Sequence, residues 1–216
     1  MSFAPDKSAE DKGRINAVED YLSLLTERIK FCFNGIDENI AQKSDGKEEK
    51  QLIARYAAAL ITKDDFVYLD AGTTTGCMID FITEKSATYV TNAVSHAQKL
   101  AAAGFRVYLI GGELKPTTEA VVGNQAILSL ETLHFSKAFF GTNGVSLKAG
   151  FSTPDYEEAM VKKTAIGQAK KAYILADYSK FGNISSVTFE EFAKAQIITD
   201  RKPPEAFLRS KNIIVA

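Results

Sequence analysis

Apolar residues in this chain recur in two rhythms, and the change between them divides it. Over residues 15–33 they fall at Ile15, Val18, Leu22, Leu25 and Ile29, close to the i, i+3, i+4, i+7 spacing that lays one stripe along a helix. Asn34-Gly35 supplies a stop. Residues 1–14 read as a polar lead-in and 34–46 as a connector. A further helix is predicted over KEEKQLIARYAAALI, rich in Ala and Leu, with Leu52, Ile53, Tyr56, Ala57 and Leu60 on one face.

From Phe66 onward the pattern becomes an alternation of short apolar runs with helical segments. The runs are 66–70, 86–92, 105–112, 136–144, 171–177, 195–200 and 212–216, which makes seven candidate strands. Between them, TTTGCMIDFI, AVSHAQKLAAAG, NQAILSLETLHF and DYEEAMVKKTAIGQA carry helical spacing. Runs that are apolar on both faces and separated by helices predict a mainly parallel sheet with crossover helices. The expected organisation is therefore an N-terminal tail, helix and connector over 1–46 and one α/β domain over 47–216.

Composition narrows the function classes. A chain of 216 residues, 45% hydrophobic and 25% charged, can bury a substantial core. No apolar run approaches the ~20 residues of a membrane-spanning helix, so no membrane partner is expected and the cytoplasm is the default compartment. Two cysteines, Cys32 and Cys77, make neither a disulfide framework nor a four-ligand zinc site. Neither His96 nor His134 has a partner at metal-ligand spacing, and no metal or cofactor is expected. With 26 basic against 27 acidic residues, the chain lacks the surplus of an autonomous nucleic-acid binder. Residues 1–50 are the more acidic part, with 8 Lys/Arg and 11 Asp/Glu.

In open α/β sheets ligands bind beyond the carboxyl ends of the strands. Those ends carry Asp70-Ala71-Gly72-Thr73-Thr74-Thr75, Thr91-Asn92, Gly111-Gly112-Glu113, Gly141-Thr142-Asn143-Gly144 and Asp177-Tyr178-Ser179-Lys180. A glycine turn entering a helix offers free N–H groups and the positive end of the helix dipole. With three hydroxyls beside it, Gly72-Thr73-Thr74-Thr75 fits a phosphate monoester; the plainer alternative is that a threonine caps the helix. No GxxxxGK[ST] or GxGxxG spacing occurs. Gly111-Gly112 suits either a tight turn or a close approach of ligand to backbone. Glu113 suits sugar hydroxyls, and Lys180 with Asp177 suits either a phosphate contact or a loop ion pair. Glu158 and Lys162 stand four apart, as an ordinary helical pair does.

Taken in order, EKQLIARYAA, YLDAGTTT, YVTN, VYLIGGEL, VVGNQA, AFFGTNGVSLKAGFSTPDYEEAMVKK, ILADYSKFG and IITD resemble the C-terminal sensor domain of the DeoR family of bacterial sugar-metabolism repressors. The resemblance covers about residues 47–216. It implies a Rossmann-like fold related to ribose-5-phosphate isomerase and glucosamine-6-phosphate deaminase, with an effector site for a phosphorylated sugar. Carried onto this chain, Gly72, Thr73, Thr74 and Thr75 form the phosphate loop. Asp70, Asn92, Gly112, Glu113, Glu158, Asp177 and Lys180 complete the lining. FFGTNGVSLKAGFSTPD is similar to the branch answering to fructose 1-phosphate or tagatose 6-phosphate. Such repressors begin with a winged helix-turn-helix carrying a TIRRDL-like helix and an R-x-HGGA wing, and neither string stands in residues 1–50. DNA contact is thus expected only through a module not visible in this chain.

The leading expectation is a non-catalytic, homo-oligomeric sensor whose phosphosugar shifts a conformational equilibrium. The alternative is an active phosphosugar isomerase or deaminase relative, in which Glu113 or Asp177 serves as base and Lys180 stabilises the oxyanion. The sequence offers no histidine placed as a ring-opening acid for that chemistry.

Overall fold

A computed structural model describes residues 47–216; the amphipathic helix expected over 15–33 and the tail and connector around it lie outside the described residues. In chain order the elements are α1 (Lys47–Ala59), β1 (Phe66–Leu69), α2 (Thr73–Met78), β2 (Thr88–Thr91), α3 (Val94–Ala102), β3 (Arg106–Leu109), β4 (Glu113–Lys115) and β5 (Ala120–Val122). There follow α4 (Asn124–Glu131), β6 (Lys137–Gly141), β7 (Gly144–Ser146), β8 (Gly150–Thr153), α5 (Tyr156–Gly167), β9 (Ala172–Leu175), β10 (Val187–Glu190), β11 (Gln196–Thr199) and β12 (Ile213–Val215).

The seven expected runs all contribute to one sheet in the order β12-β11-β9-β6-β1-β2-β3, and every neighbouring pair is parallel. Alternate residues of each strand serve opposite faces. Tyr68, Phe140, Ile174 and Ile197 join one apolar cluster with Leu130 of α4 and Val161, Ala165 and Ile166 of α5. Val67, Leu69, Phe139, Tyr173 and Ile198 join the other, with Ile53 and Ala57 of α1, Met78 of α2 and Leu100 of α3. Each large side chain buried in these layers stabilises the fold by roughly 1.5–3 kcal/mol relative to exposure.

From β1 the chain proceeds through β2 and β3 to one edge, and from β6 through β9, β11 and β12 to the other. The direction reverses between β1 and β6, so the topological switch point lies there.

Two local features depart from the pattern reading. The buried stripe of α1 is Ile53, Ala54, Ala57 and Ala58, while Leu52 and Tyr56 are exposed. Alanines let the helix lie close to the sheet, which centres the contact on them rather than on the bulkier residues. The small strands went unread: β4 and β5 form an antiparallel hairpin, and β10-β8-β7 an antiparallel sheet. Each is three or four residues long, too short for a period-2 signal. The small sheet covers the side of α5 turned from the main sheet. This helix therefore buries Ala159, Val161, Lys162, Ala165 and Ile166 rather than one clean face.

Candidate functional site

A cavity of about 280 Å³ lies beyond the carboxyl ends of β1 and β6, at the switch point. Ala71, Gly72, Thr73 and Thr74 enter it after β1, and Gly141, Thr142 and Asn143 after β6. Asp177 and Lys180 follow β9, Glu158 and Lys162 project from α5, Thr118 comes from the β4–β5 turn, and Lys50 from the first turn of α1.

Its floor is a buried ion pair. Asp70 is 1% exposed and Lys162 4%. Asp70 Oδ2 accepts from Lys162 Nζ in a close contact and from Gly141 N–H at 3.1 Å, while Lys162 Nζ also lies 3.3 Å from Gly141 O. Burial pushes the Asp70 carboxyl above its ordinary value, opposed by the adjacent Lys162 charge. Through these bonds the residue that follows β1 and a side chain from α5 hold the end of β6. The glycines allow the loops to meet: a Cβ on Gly72 would stand 3.8 Å from Gly141 Cα.

The start of α2 is fixed from behind. Thr75 is fully buried, its hydroxyl 2.7 Å from Asp70 O and 2.8 Å from Gly72 O. Asn92 Oδ1 accepts from Ala71 N–H at 2.9 Å, and its amide donates to Val121 O at 3.3 Å. These residues shape the loop and leave Thr73 and Thr74, with the unpaired first-turn N–H groups of α2, facing the cavity. His96 of α3 is buried against the same turn, where a Cβ on Gly76 would come within 2.8 Å of its Nε2. Burial, helped by Lys99 and opposed by the Gly72 carbonyl, brings the imidazole down to about 4, so it is neutral at pH 7.

On the opposite wall, Asp155 caps α5 by accepting from Glu158 N–H at 3.0 Å. Lys115 of β4 pairs with that carboxylate, and the Thr118 hydroxyl donates to Glu158 at 2.9 Å. Two side-chain contacts thus tie the hairpin to the cavity rim. Asp177 accepts from Ser179 N–H at 3.0 Å and lies 3.9 Å from Lys180 Nζ.

Of the residues singled out from sequence, Gly72, Thr73, Thr74, Glu158, Asp177 and Lys180 line the cavity. Asp70, Thr75 and Asn92 stand behind it as supports. Gly112 and Glu113 belong to the hairpin away from it; Gly112 has φ +153°, and a Cβ there would meet Val122 O at 2.5 Å. That glycine serves the tight approach of the turn to β5. Sequence reasoning passed over Lys50, Thr118 and Thr153, and took Lys162 only as a helical partner of Glu158. Lys162 carried little local signal: Met160 and Val161 precede it, but Lys163 and Thr164 follow.

A larger cavity, about 540 Å³, lies between the β3 edge and α4. Its lining is chiefly apolar, with Arg106 the charged member, so volume alone does not locate the convergent polar chemistry. Among the described residues no group of three or more His, Cys, Asp or Glu side chains is arranged to hold a metal. No helix among them is long and apolar enough to cross a membrane.

Fold and site together define a Rossmann-like α/β domain with a cation-bearing polar cavity at its switch point. The family model described as the DeoR C terminal sensor domain matches residues 45–201, and the chain belongs to that family. It is 45% identical over 161 residues to the uncharacterized HTH-type transcriptional regulator FruR of Bacillus subtilis, covering 74% of this chain and 64% of that protein. It is 35% identical over 157 residues to the lactose phosphotransferase system repressor of Streptococcus mutans, covering 71% and 62%. The chain thus spans less than two thirds of the curated relatives it matches. Among solved structures, ribose 5-phosphate isomerase A of Methanocaldococcus jannaschii aligns with TM-score 0.46 and 14% identity, over 63% of this chain and 55% of that one.

Proposed function

We propose that this domain is the effector sensor of a DeoR-type transcriptional repressor of sugar uptake or catabolism. Its ligand is a phosphorylated sugar, a ketohexose phosphate such as fructose 1-phosphate or tagatose 6-phosphate. The observation that carries the reading is the division of polar groups around the cavity at the switch point. Lys180, Thr73, Thr74 and the first-turn N–H groups of α2 supply cationic and donor groups for a phosphate. Glu158, Asp177 and Asn143 supply acceptors for sugar hydroxyls. The names of relatives, a repressor of a lactose phosphotransferase system among them, agree with a sugar-linked role.

Binding rather than catalysis is the role proposed. Neither His96 nor His134 is among the residues that line the cavity, so no imidazole stands there as a ring-opening acid. DNA contact belongs to a winged helix-turn-helix outside the sensor domain, and self-association to the domain in its working state.

Calorimetry with fructose 1-phosphate and tagatose 6-phosphate, against fructose and inorganic phosphate, tests the reading. At least one sugar phosphate should bind the wild type. Thr74→Val combined with Lys180→Met should abolish that binding and leave the far-ultraviolet circular dichroism unchanged. Unchanged affinity in the folded double variant would remove the site assignment. Solvent deuterium entering the bound sugar would instead establish enolisation and an enzymatic role.

A further inference from the structure

The first turn of α1 reaches the cavity by two routes. Lys50 lines it directly. It has no carboxylate within ion-pair distance among the described residues, whereas Lys162 and Lys180 are paired with Asp70 and Asp177. Among the described residues its charge is therefore the cavity's uncompensated one, and complementary to a ligand anion. The second route runs through side chains. Glu49 accepts from Arg201 Nη2 at 2.9 Å, and Arg201 Nε donates to Asp200. The buried Asp200 carboxylate accepts from Tyr178 N–H at 2.7 Å. Tyr178 opens the turn Tyr178–Lys180, whose flanking Asp177 and terminal Lys180 line the cavity.

We infer that Lys50 is a ligand-recognition residue and that α1's first turn is the element through which effector occupancy is reported. The inference rests on the phosphosugar reading and adds to it the route of the signal. The physical basis is the weakness of that turn without ligand. First-turn N–H groups of a helix lack intrahelical acceptors and fray, and the Glu49–Arg201 pair, with Arg201 57% exposed, is too solvated to brace it alone. A phosphate seated between Lys50 and Lys180 joins the turn to loop 177–180 across the cavity, in parallel with the Glu49–Arg201–Asp200 chain. The ordered turn is also the point at which residues 1–46 are covalently joined to the domain, so ligand binding stiffens that junction.

Hydrogen-exchange mass spectrometry of the full chain, with and without saturating fructose 1-phosphate or tagatose 6-phosphate, tests this alongside calorimetry. The amides of Leu52, Ile53 and Ala54, which bond back into the first turn, should exchange at least about threefold more slowly with ligand. Lys50→Met should weaken binding by about tenfold and lose the protection at matched saturation. Arg201→Gln should bind within about threefold of wild type and show reduced protection. Sugar phosphate bound with unchanged exchange in α1, or wild-type affinity in Lys50→Met, would overturn this inference while leaving the phosphosugar reading standing. Failure of the wild type to bind either sugar phosphate would remove both.

Discussion

Replacing Lys162 by Met tests whether the floor of the cavity is an ion pair that the fold depends on. Methionine keeps most of the apolar stem and deletes the charge, leaving Asp70 with the Gly141 N–H as its donor on Oδ2. The two side chains are 5% and 2% exposed, so solvent does little to screen the orphaned carboxylate. Removing one partner of a buried pair costs about 3–5 kcal/mol. For a domain of this size that corresponds to a fall in Tm of roughly 10 °C. Because the chain contains no Trp, urea unfolding is best followed by circular dichroism.

The pH dependence gives a second reading of the same substitution. Without Lys162, burial acts on Asp70 with less opposition, and its folded-state value rises further above the ordinary 3.8. A group shifted upward favours folding below its unfolded value and loses that contribution as pH rises through the folded one. The deficit of Lys162→Met should therefore shrink on going from pH 7 to pH 5, at most by about 1.4 kcal/mol per pH unit. Adding Asp70→Asn should return about 2 kcal/mol, because the buried charge is then gone from both sides. A variant within about 1 kcal/mol of wild type, or a deficit flat in pH, would refute the account of the pair.

Other consequences follow from the same bonds and contacts. Thr75→Val, isosteric but without the hydroxyl, should lose about 1–3 kcal/mol in urea unfolding, whereas Thr75→Ser retains most of the stability. Gly150→Ala should lower Tm measurably, by about 2 kcal/mol or more, since φ is +77° and the new Cβ would lie 2.1 Å from Glu190 O. Gly167→Ala, with open space around the Cβ at the end of α5, should be neutral or gain up to about 1 kcal/mol. His96, brought from 6.5 to about 4 by burial first, stabilises fully above pH 6.5. About 3 kcal/mol should be lost as pH falls through its folded value; His96→Leu should flatten that part of the stability–pH curve.

The main sheet was legible because its central strands are buried on both faces, and a doubly buried strand writes itself as an uninterrupted apolar run such as Phe66–Leu69 or Ala172–Leu175. The cavity's position followed from that parallel order, since residues after such strands converge at their carboxyl ends. The hairpin and the small antiparallel sheet lack the signal for a converse reason. Three residues such as Gly144–Ser146 pair through main-chain bonds to Gly150–Thr153, and main-chain pairing leaves no mark on side-chain type.

The same distinction explains which cavity residues were readable. Gly72, Thr73 and Thr74 stand in a local run whose chemistry is concentrated within four positions, and local chemistry survives in sequence. Lys50 and Lys162 reach the cavity through contacts far along the chain: Asp70 is 92 positions from Lys162, and Lys50 meets the cavity only after α1 packs on the sheet. A lysine on a helix is solvated in most settings, so its residue type says little about function without its place in the fold. Burial reverses that meaning for Lys162, because a lysine 4% exposed must be paired or neutral. Both lysines therefore became interpretable only when the fold showed where each ammonium group sits. The residues that tie the cavity to α5 and α1 are the least readable ones because long-range position, rather than local motif, defines their role.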